Sequence, residues 1–262
     1  MTSKTEPRLL CYDLGEGVTA FSTTRHGGVS EANYASFNIN PYCGDCADHV
    51  ARNRQLLADR LGLPASHIVL PHQVHGIEHR AVAPELLDMS DAVRDKILDG
   101  VDMVTTSMTG VCIGVSTADC IPVLLYDPVA RATAAIHAGW RGTLQRICQR
   151  AVMAMQLHYG TTPDRLRAVV GPGISLANFE VGQEVYDQFV QAGFDLTETA
   201  EWHTKWHLDL PGINIRELIG CGVAPEHIHH ADICTFDHAD DYFSARRLGI
   251  DSGRIYTGIL MR

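Results

Sequence analysis

Val111-Cys-Ile-Gly-Val-Ser-Thr-Ala-Asp119-Cys120-Ile-Pro-Val-Leu-Leu-Tyr126 is followed by Ala132-Thr-Ala-Ala-Ile136-His137-Ala-Gly139-Trp-Arg-Gly142. The stretch holds three strand-like runs, at 111–116, 122–126 and 132–136, and a fourth run, 101–106, precedes them. The later runs lack polar alternation, as in strands buried on both faces. Residues 144–159 then read as a helix entered from the Gly139-Trp-Arg-Gly142 turn.

Outward from this core the chain mixes strands and helices. Residues 18–23 read as a strand ending in the Arg25-His-Gly-Gly28 turn. Asp45 and Asp48 open a helix whose apolar positions Val50, Leu56, Leu57 and Leu61 recur at helical spacing, and Gly62 and Pro64 end it. Val69-Leu70 leads into a loop carrying His72 and His75. Downstream, 166–170 reads as a strand ending at Gly171-Pro-Gly173, 181–189 as a helix, and 215–218 as part of another. Ile228, Ile255 and Ile259 mark the last strands. With no regular βαβ alternation, repeat or linker, the expectation is one α+β domain over 1–262, residues 1–15 forming a peripheral segment.

With 21 basic and 31 acidic residues, the net charge is -10. An acidic chain without a Lys/Arg run is a poor binder of nucleic-acid backbones. Asp119 interrupts the longest apolar stretch, so no membrane span is expected, and the short polar start lacks the apolar core of a signal peptide. Eight cysteines then read as reduced thiols of a cytoplasmic protein.

Cys120 and His137 stand at the ends of strand-like runs, and His75 follows one. Together they offer three soft or borderline donors to one metal ion, leaving a fourth position for water, as in catalytic zinc sites. Their sequence separations are too wide for a zinc finger. His72 competes with His75 for the same role. The plainer readings are a buried cysteine used as filler and a strand-end histidine that is merely hydrogen-bonded. Cys43-Gly-Asp-Cys46 has neither a second pair nor a thioredoxin-like context, and reads as incidental.

An anion has candidate holders in Arg25, in the Gly139–Gly142 turn with Arg141, and in Arg246 beside Arg247. None of these turns is a P-loop or a dinucleotide fingerprint.

These pieces occur together with Ser22-Thr-Thr-Arg25-His-Gly-Gly-Val-Ser30, Phe37-Asn38-Ile39, Asn53-Arg54, Gln73-Val-His75-Gly76, Phe179-Glu-Val-Gly182, Cys234-Thr235 and Gly253-Arg254. In this combination the chain resembles the YfiH-like family, also described as laccase-type multicopper polyphenol oxidase, purine nucleoside phosphorylase and peptidoglycan editing factor. The resemblance implies a layered sandwich of mixed β-sheets flanked by helices, similar to the fold of cytotoxic necrotizing factor toxins. It also implies zinc on His75, Cys120 and His137, with copper as the alternative metal. Tyr42, Gly173 and Phe179 depart from residues common in the family, and none is a ligand.

The implied activity is zinc-dependent phosphorolysis of purine nucleosides (adenosine, inosine, methylthioadenosine) together with adenosine deamination. The partners are then a purine nucleoside and phosphate, and the protein a monomer or homodimer. Asp119 is the nearest carboxylate in sequence for proton transfer. Arg25, Asn38, Arg141 and Arg246 are the candidates for holding phosphate or substrate. Three other readings compete. One is a cysteine amidase acting on a peptidoglycan precursor, with Cys120 as nucleophile and His137 as base. The second is a copper polyphenol oxidase, for which further His-x-His pairs are needed and only His227-Ile-His229 has that form. The last is a metal-stabilised binding protein.

Overall fold

The computed structural model describes residues 5–262. Its strands are β1 (Leu9–Tyr12), β2 (Val18–Thr23), β3 (Ile68–Val69), β4 (Glu78–Ala81), β5 (Val101–Thr106), β6 (Cys112–Thr117), β7 (Ile121–Asp127), β8 (Ala132–Ala138), β9 (Arg167–Val170), β10 (Glu180–Val181), β11 (Ala200–Trp202), β12 (Trp206–Leu208), β13 (Ile228–His230) and β14 (Ile255–Met261). The helices are α1 (Ala47–Leu61), α2 (Pro84–Asp88), α3 (Asp91–Leu98), α4 (Trp140–Leu144), α5 (Ile147–Tyr159), α6 (Gln183–Gln191), α7 (Leu210–Gly220) and α8 (Ala245–Leu248).

Two mixed sheets carry the fold: one ordered β1-β2-β14-β6-β3, the other β13-β9-β7-β8-β5-β4. A small sheet, β10-β12-β11, lies apart from both. Side chains alternate across each strand, and this assigns the core to three layers. Ile113 and Val115 of β6 and Ile259 of β14 pack with Val104, Leu124 and Ala135 between the two large sheets. The opposite face of the second sheet sets Val123, Leu125 and Ile136 against Ile147, Ala151 and Met155 of α5 and Ile213 of α7. The outer face of the first sheet sets Phe21 and Tyr256 against Leu57 and Leu61 of α1. The α+β sandwich of mixed sheets flanked by helices is therefore as expected, and the unalternating runs are strands covered on both sides.

Two local expectations change. The helix expected over 144–159 is split in two, because Arg146 takes a left-handed φ of 60°. Its guanidinium then reaches Glu217 at 2.5 Å and lies over the Phe194 ring. The helix expected from 181 begins instead at Gln183, because Glu180 and Val181 pair with β12. Of the expected peripheral segment, residues 1–4 lie outside the described residues. Leu9–Tyr12 is built into the first sheet as its edge strand, with Tyr12 and Leu14 buried. Among the described residues no helix is long and apolar enough to cross a membrane.

Candidate metal centre

The site lies at one rim of the second sheet. β7 and β8 run antiparallel with Ile121 opposite Ala138, so Cys120, just before β7, and His137, near the end of β8, arrive at the same rim. His75 comes from the loop between β3 and β4 and has a left-handed φ of 63°. A non-glycine residue holds that conformation only where its surroundings impose it. Here the constraint is one buried carboxylate, Asp102 of β5. Its oxygens accept the backbone N–H groups of Val74 (3.2 Å), His75 (3.0 Å) and Gly76 (2.7 Å). Gln73 ties the same loop to β6, donating to the Ser116 carbonyl and accepting from the Ser116 N–H, both at 2.8 Å.

Asp102 also faces His137. His137 Nδ1 lies 2.6 Å from Asp102 Oδ1, so the Nε2 edge is left for the cluster. A carboxylate behind an imidazole in this way fixes its orientation and tautomer. One donor atom each from His75, Cys120 and His137 lies within 4.8 Å of the others, with His137 buried, Cys120 half-buried and His75 exposed. The rings of His75 and His137 meet edge to face at 4.8 Å between centroids.

Charge within the cluster is tightly shared. Burial disfavours a Cys120 thiolate, but His137 and His75 outweigh it and hold the thiol down at about 6. Burial likewise opposes a charged His137, yet Cys120 and Asp102 raise it to about 9. Burial also works against the Asp102 carboxylate, and His137 with the loop N–H groups keeps it below the ordinary range. A thiolate beside two imidazoles, with one donor exposed, is a donor set that suits zinc or copper and leaves room for another ligand.

The backbone approaches closely around the cluster at two glycines. A Cβ on Gly139 would stand 3.0 Å from His75 Cδ2 and 3.1 Å from Cys120 Sγ. A Cβ on Gly142 would meet the Gly76 carbonyl at 3.2 Å. The Gly139–Gly142 segment, read in the sequence as a turn and anion cradle, is thus packed against the His75 loop; Gly139 caps α4 and the other three residues belong to that helix, which has only five residues.

The other candidates are placed variously. His72 turns away to Asp99, 2.6 Å from its Nδ1, and its ring lies tilted against Tyr42. Asp119 is at the rim, but both its oxygens are engaged: Oδ1 accepts from Thr235 Oγ1 at 2.7 Å and Oδ2 from the Arg246 N–H at 2.6 Å. Arg25 donates to the Ala35 and Ala239 carbonyls and lies over Phe243. Asn38 is buried and bonded to Asp45, Asn40 and the Arg254 N–H. Arg246 reaches the Asn178 and Glu180 carbonyls at 3.3 Å. Arg141 is exposed and lies over the Trp140 ring at 4.4 Å. Asp102 and Gln73 were missed from the sequence. The available signal for Asp102 was a carboxylate inside an otherwise strand-like run.

Fold and cluster together define a layered α+β sandwich protein with a buried-to-exposed His–Cys–His cluster at a sheet rim. Comparison with known proteins places it further. The chain belongs to the family described as multi-copper polyphenol oxidoreductase laccase, whose profile matches residues 19–262, and it is YfiH-like, as the motifs implied. It is 44% identical over 247 residues to a protein of Bacteroides thetaiotaomicron named purine nucleoside phosphorylase, covering 93% of this chain and 92% of the relative. It is 40% identical over 248 residues to a protein of an unknown prokaryotic organism named adenosine deaminase RL5, covering 93% and 94%. The crystal structure of the Bacillus licheniformis hypothetical protein YfiH superposes with a TM-score of 0.90 at 28% identity, covering 98% of this chain and 97% of that one.

Proposed function

We propose that this chain is a zinc-dependent purine nucleoside phosphorylase that also deaminates adenosine, with zinc held by His75, Cys120 and His137. The observation carrying this reading is the convergence of those three donors, two of them oriented through Asp102. The names of the two relatives supply the substrate class. Zinc bound there would supply a Lewis acid and a water that ionises near neutral pH.

The chain's own residues do the rest. Asp102 holds His137 and the His75 loop in place, so ligand geometry is preset. Gly139 keeps the space beside Cys120 and His75 clear. Arg141, exposed beside Trp140, offers its guanidinium to phosphate, and Arg246 is the second cationic holder. Phosphorolysis moves the ribosyl group from a purine nitrogen to a phosphate oxygen. Deamination replaces the 6-amino group of adenosine with oxygen from water and releases ammonia. The chain acts as one domain, as a monomer or homodimer, in the cytoplasm.

The test is metal content together with turnover, on wild type and Cys120→Ala. About one zinc per chain, phosphate-dependent release of adenine and ribose-1-phosphate, and inosine from adenosine are expected. Loss of all three in the variant is expected too. A zinc-loaded wild type that turns over no nucleoside overturns the reading.

A second reading, a cysteine amidase acting on a peptidoglycan precursor, draws on one specific observation. Cys120 Sγ lies within 4.8 Å of a ring nitrogen of His137, which is backed by Asp102, the order of a nucleophile, base and orienting acid. A chelator that raises amide hydrolysis while iodoacetamide abolishes it would favour this reading, since zinc blunts a thiolate nucleophile. A multicopper oxidase draws less support. Among the described residues no second group of metal donors accompanies the first.

A further inference from the structure

Away from the cluster, a cavity of about 490 Å³ opens between α1 and the α2–α3 pair. Its floor is apolar, made by the buried side chains of Val50, Ile68, Leu70, Leu86 and Leu98. The size is that of a small organic ligand site.

The polar groups on its wall differ in how far they are already used. Arg94 pairs with Asp91 and reaches the Ser66 carbonyl. Asp45 accepts from Ser30 and Asn38. Asp95, also on the wall, has no hydrogen bond or ion pair among the described residues, and Arg54 is the cation least used. Its only hydrogen bond among the described residues runs from one terminal nitrogen to the Ile68 carbonyl at 2.8 Å, and no carboxylate lies within ion-pair distance. A guanidinium has five N–H donors. Burial pushes the Arg54 pKa down and Arg94 adds to the shift, with Tyr256, Tyr42 and Asp95 only partly offsetting it. Arg54 is part-buried on the cavity wall with most of its donors unspent, so an anion entering the cavity would replace water on them.

We propose that this cavity is a binding site for a small organic carboxylate. Its apolar body rests on the Val50–Leu98 floor, and its carboxylate is gripped by the planar fork of Arg54. The fork matches a carboxylate bidentately, which a spherical ion would not exploit. Tyr42, which also lines the cavity, lies tilted against His72 at 4.3 Å between ring centroids. The site is separate from the metal cluster, and no residue named for the proposed reaction lines it.

The experiment is calorimetric titration of the full chain with phenylacetate, neutral phenylacetamide and inorganic phosphate. Phenylacetate is expected to bind at least about tenfold more tightly than the amide, the scale of one charge-assisted hydrogen bond. Arg54→Met should remove that preference and Arg54→Lys should keep part of it. Because Arg54→Met also deletes the bond to Ile68, Ala51→Trp serves as a second variant. Ala51 is exposed on α1 and lines the cavity, so the indole fills the space while Arg54 stays, and phenylacetate binding should be lost with the circular dichroism unchanged. Equal binding of acid and amide, binding of phosphate alone, or no binding of any probe at millimolar concentration overturns the proposal. So does phenylacetate affinity unaltered in Ala51→Trp.

Discussion

His137 and Asp102 sit side by side on β8 and β5, with Nδ1 and Oδ1 2.6 Å apart and both side chains buried. They face the gap between the two large sheets: His137 lies on the same face of β8 as Ala135, and Asp102 on the same face of β5 as Val104. That one carboxylate also collects three N–H groups of the loop that presents His75. Two of the three candidate ligands therefore depend on a residue that touches no metal.

Asp102→Asn tests this dependence. The amide keeps one acceptor oxygen but loses the charge, and it must turn its NH₂ toward either His137 or the loop. Zinc affinity, measured against a competing chelator, should fall about 10- to 100-fold, the usual cost of losing such a support. Unchanged affinity would show that the ligands hold their own positions.

Gly139→Ala tests the space beside the cluster. Gly139 has an ordinary φ of -70°, so an added methyl strains no backbone. It would press on His75 Cδ2 and Cys120 Sγ instead. Stability should change by less than about 1.5 kcal/mol, within the range for a tolerated small change in packing, while metal content and nucleoside turnover drop sharply. Full turnover with bound zinc would sink the idea that this contact sets the ligand geometry.

Asp119→Ala separates anchoring from proton transfer. Asp119 joins the rim to Thr235 and to the start of α8. Hydrogen bonds to a charged group contribute about 1.5–3 kcal/mol each, so urea denaturation should show a loss of about 3–6 kcal/mol for the two. If the variant instead unfolds like wild type and only its turnover is lost, Asp119 serves the chemistry directly.

His79 provides a pH test away from the cluster. Burial, then the neighbouring His158 and Arg80, lower its pKa from 6.5 to about 4, and its Nε2 lies 2.8 Å from the Thr105 hydroxyl. The unfolded chain takes up this proton near 6.5, whereas the folded chain resists it down to about 4. Stability is therefore unaffected above pH 7 and is lost progressively as pH falls through that window. His79→Gln should lose less stability than wild type between pH 7.5 and 4.5, read from urea midpoints. An identical loss in both would refute the assignment.

Much of the fold was legible because its central strands are unusual as sequence. Runs such as 122–126 and 132–136 carry apolar side chains on both faces, which only a covered sheet accommodates. Elements that rest on exposed or mixed residues, such as β4, β11 and α3, left no such mark. The kink at Arg146 was invisible because it depends on partners far away in sequence, Glu217 and Phe194.

The sequence by itself determined the donor chemistry: one thiol and the imidazoles, placed at the ends of apolar runs and embedded in family motifs. Spacing alone left His72 and His75 equivalent, three positions apart, and it was the family motif that pointed to His75. The tertiary structure supplies the physical reason: His72 turns to Asp99, and His75 is turned toward Cys120 by a left-handed backbone that Asp102 sustains from another strand. Which carboxylate supports the site was decided by the tertiary structure alone. Asp119 is adjacent to Cys120 in the chain, yet its oxygens are taken by Thr235 and Arg246, while Asp102 is brought beside His137 by the pairing of β5 with β8. Sheet pairing joins residues distant in the chain, so this part of the site is written in the register of the strands and not in any local motif.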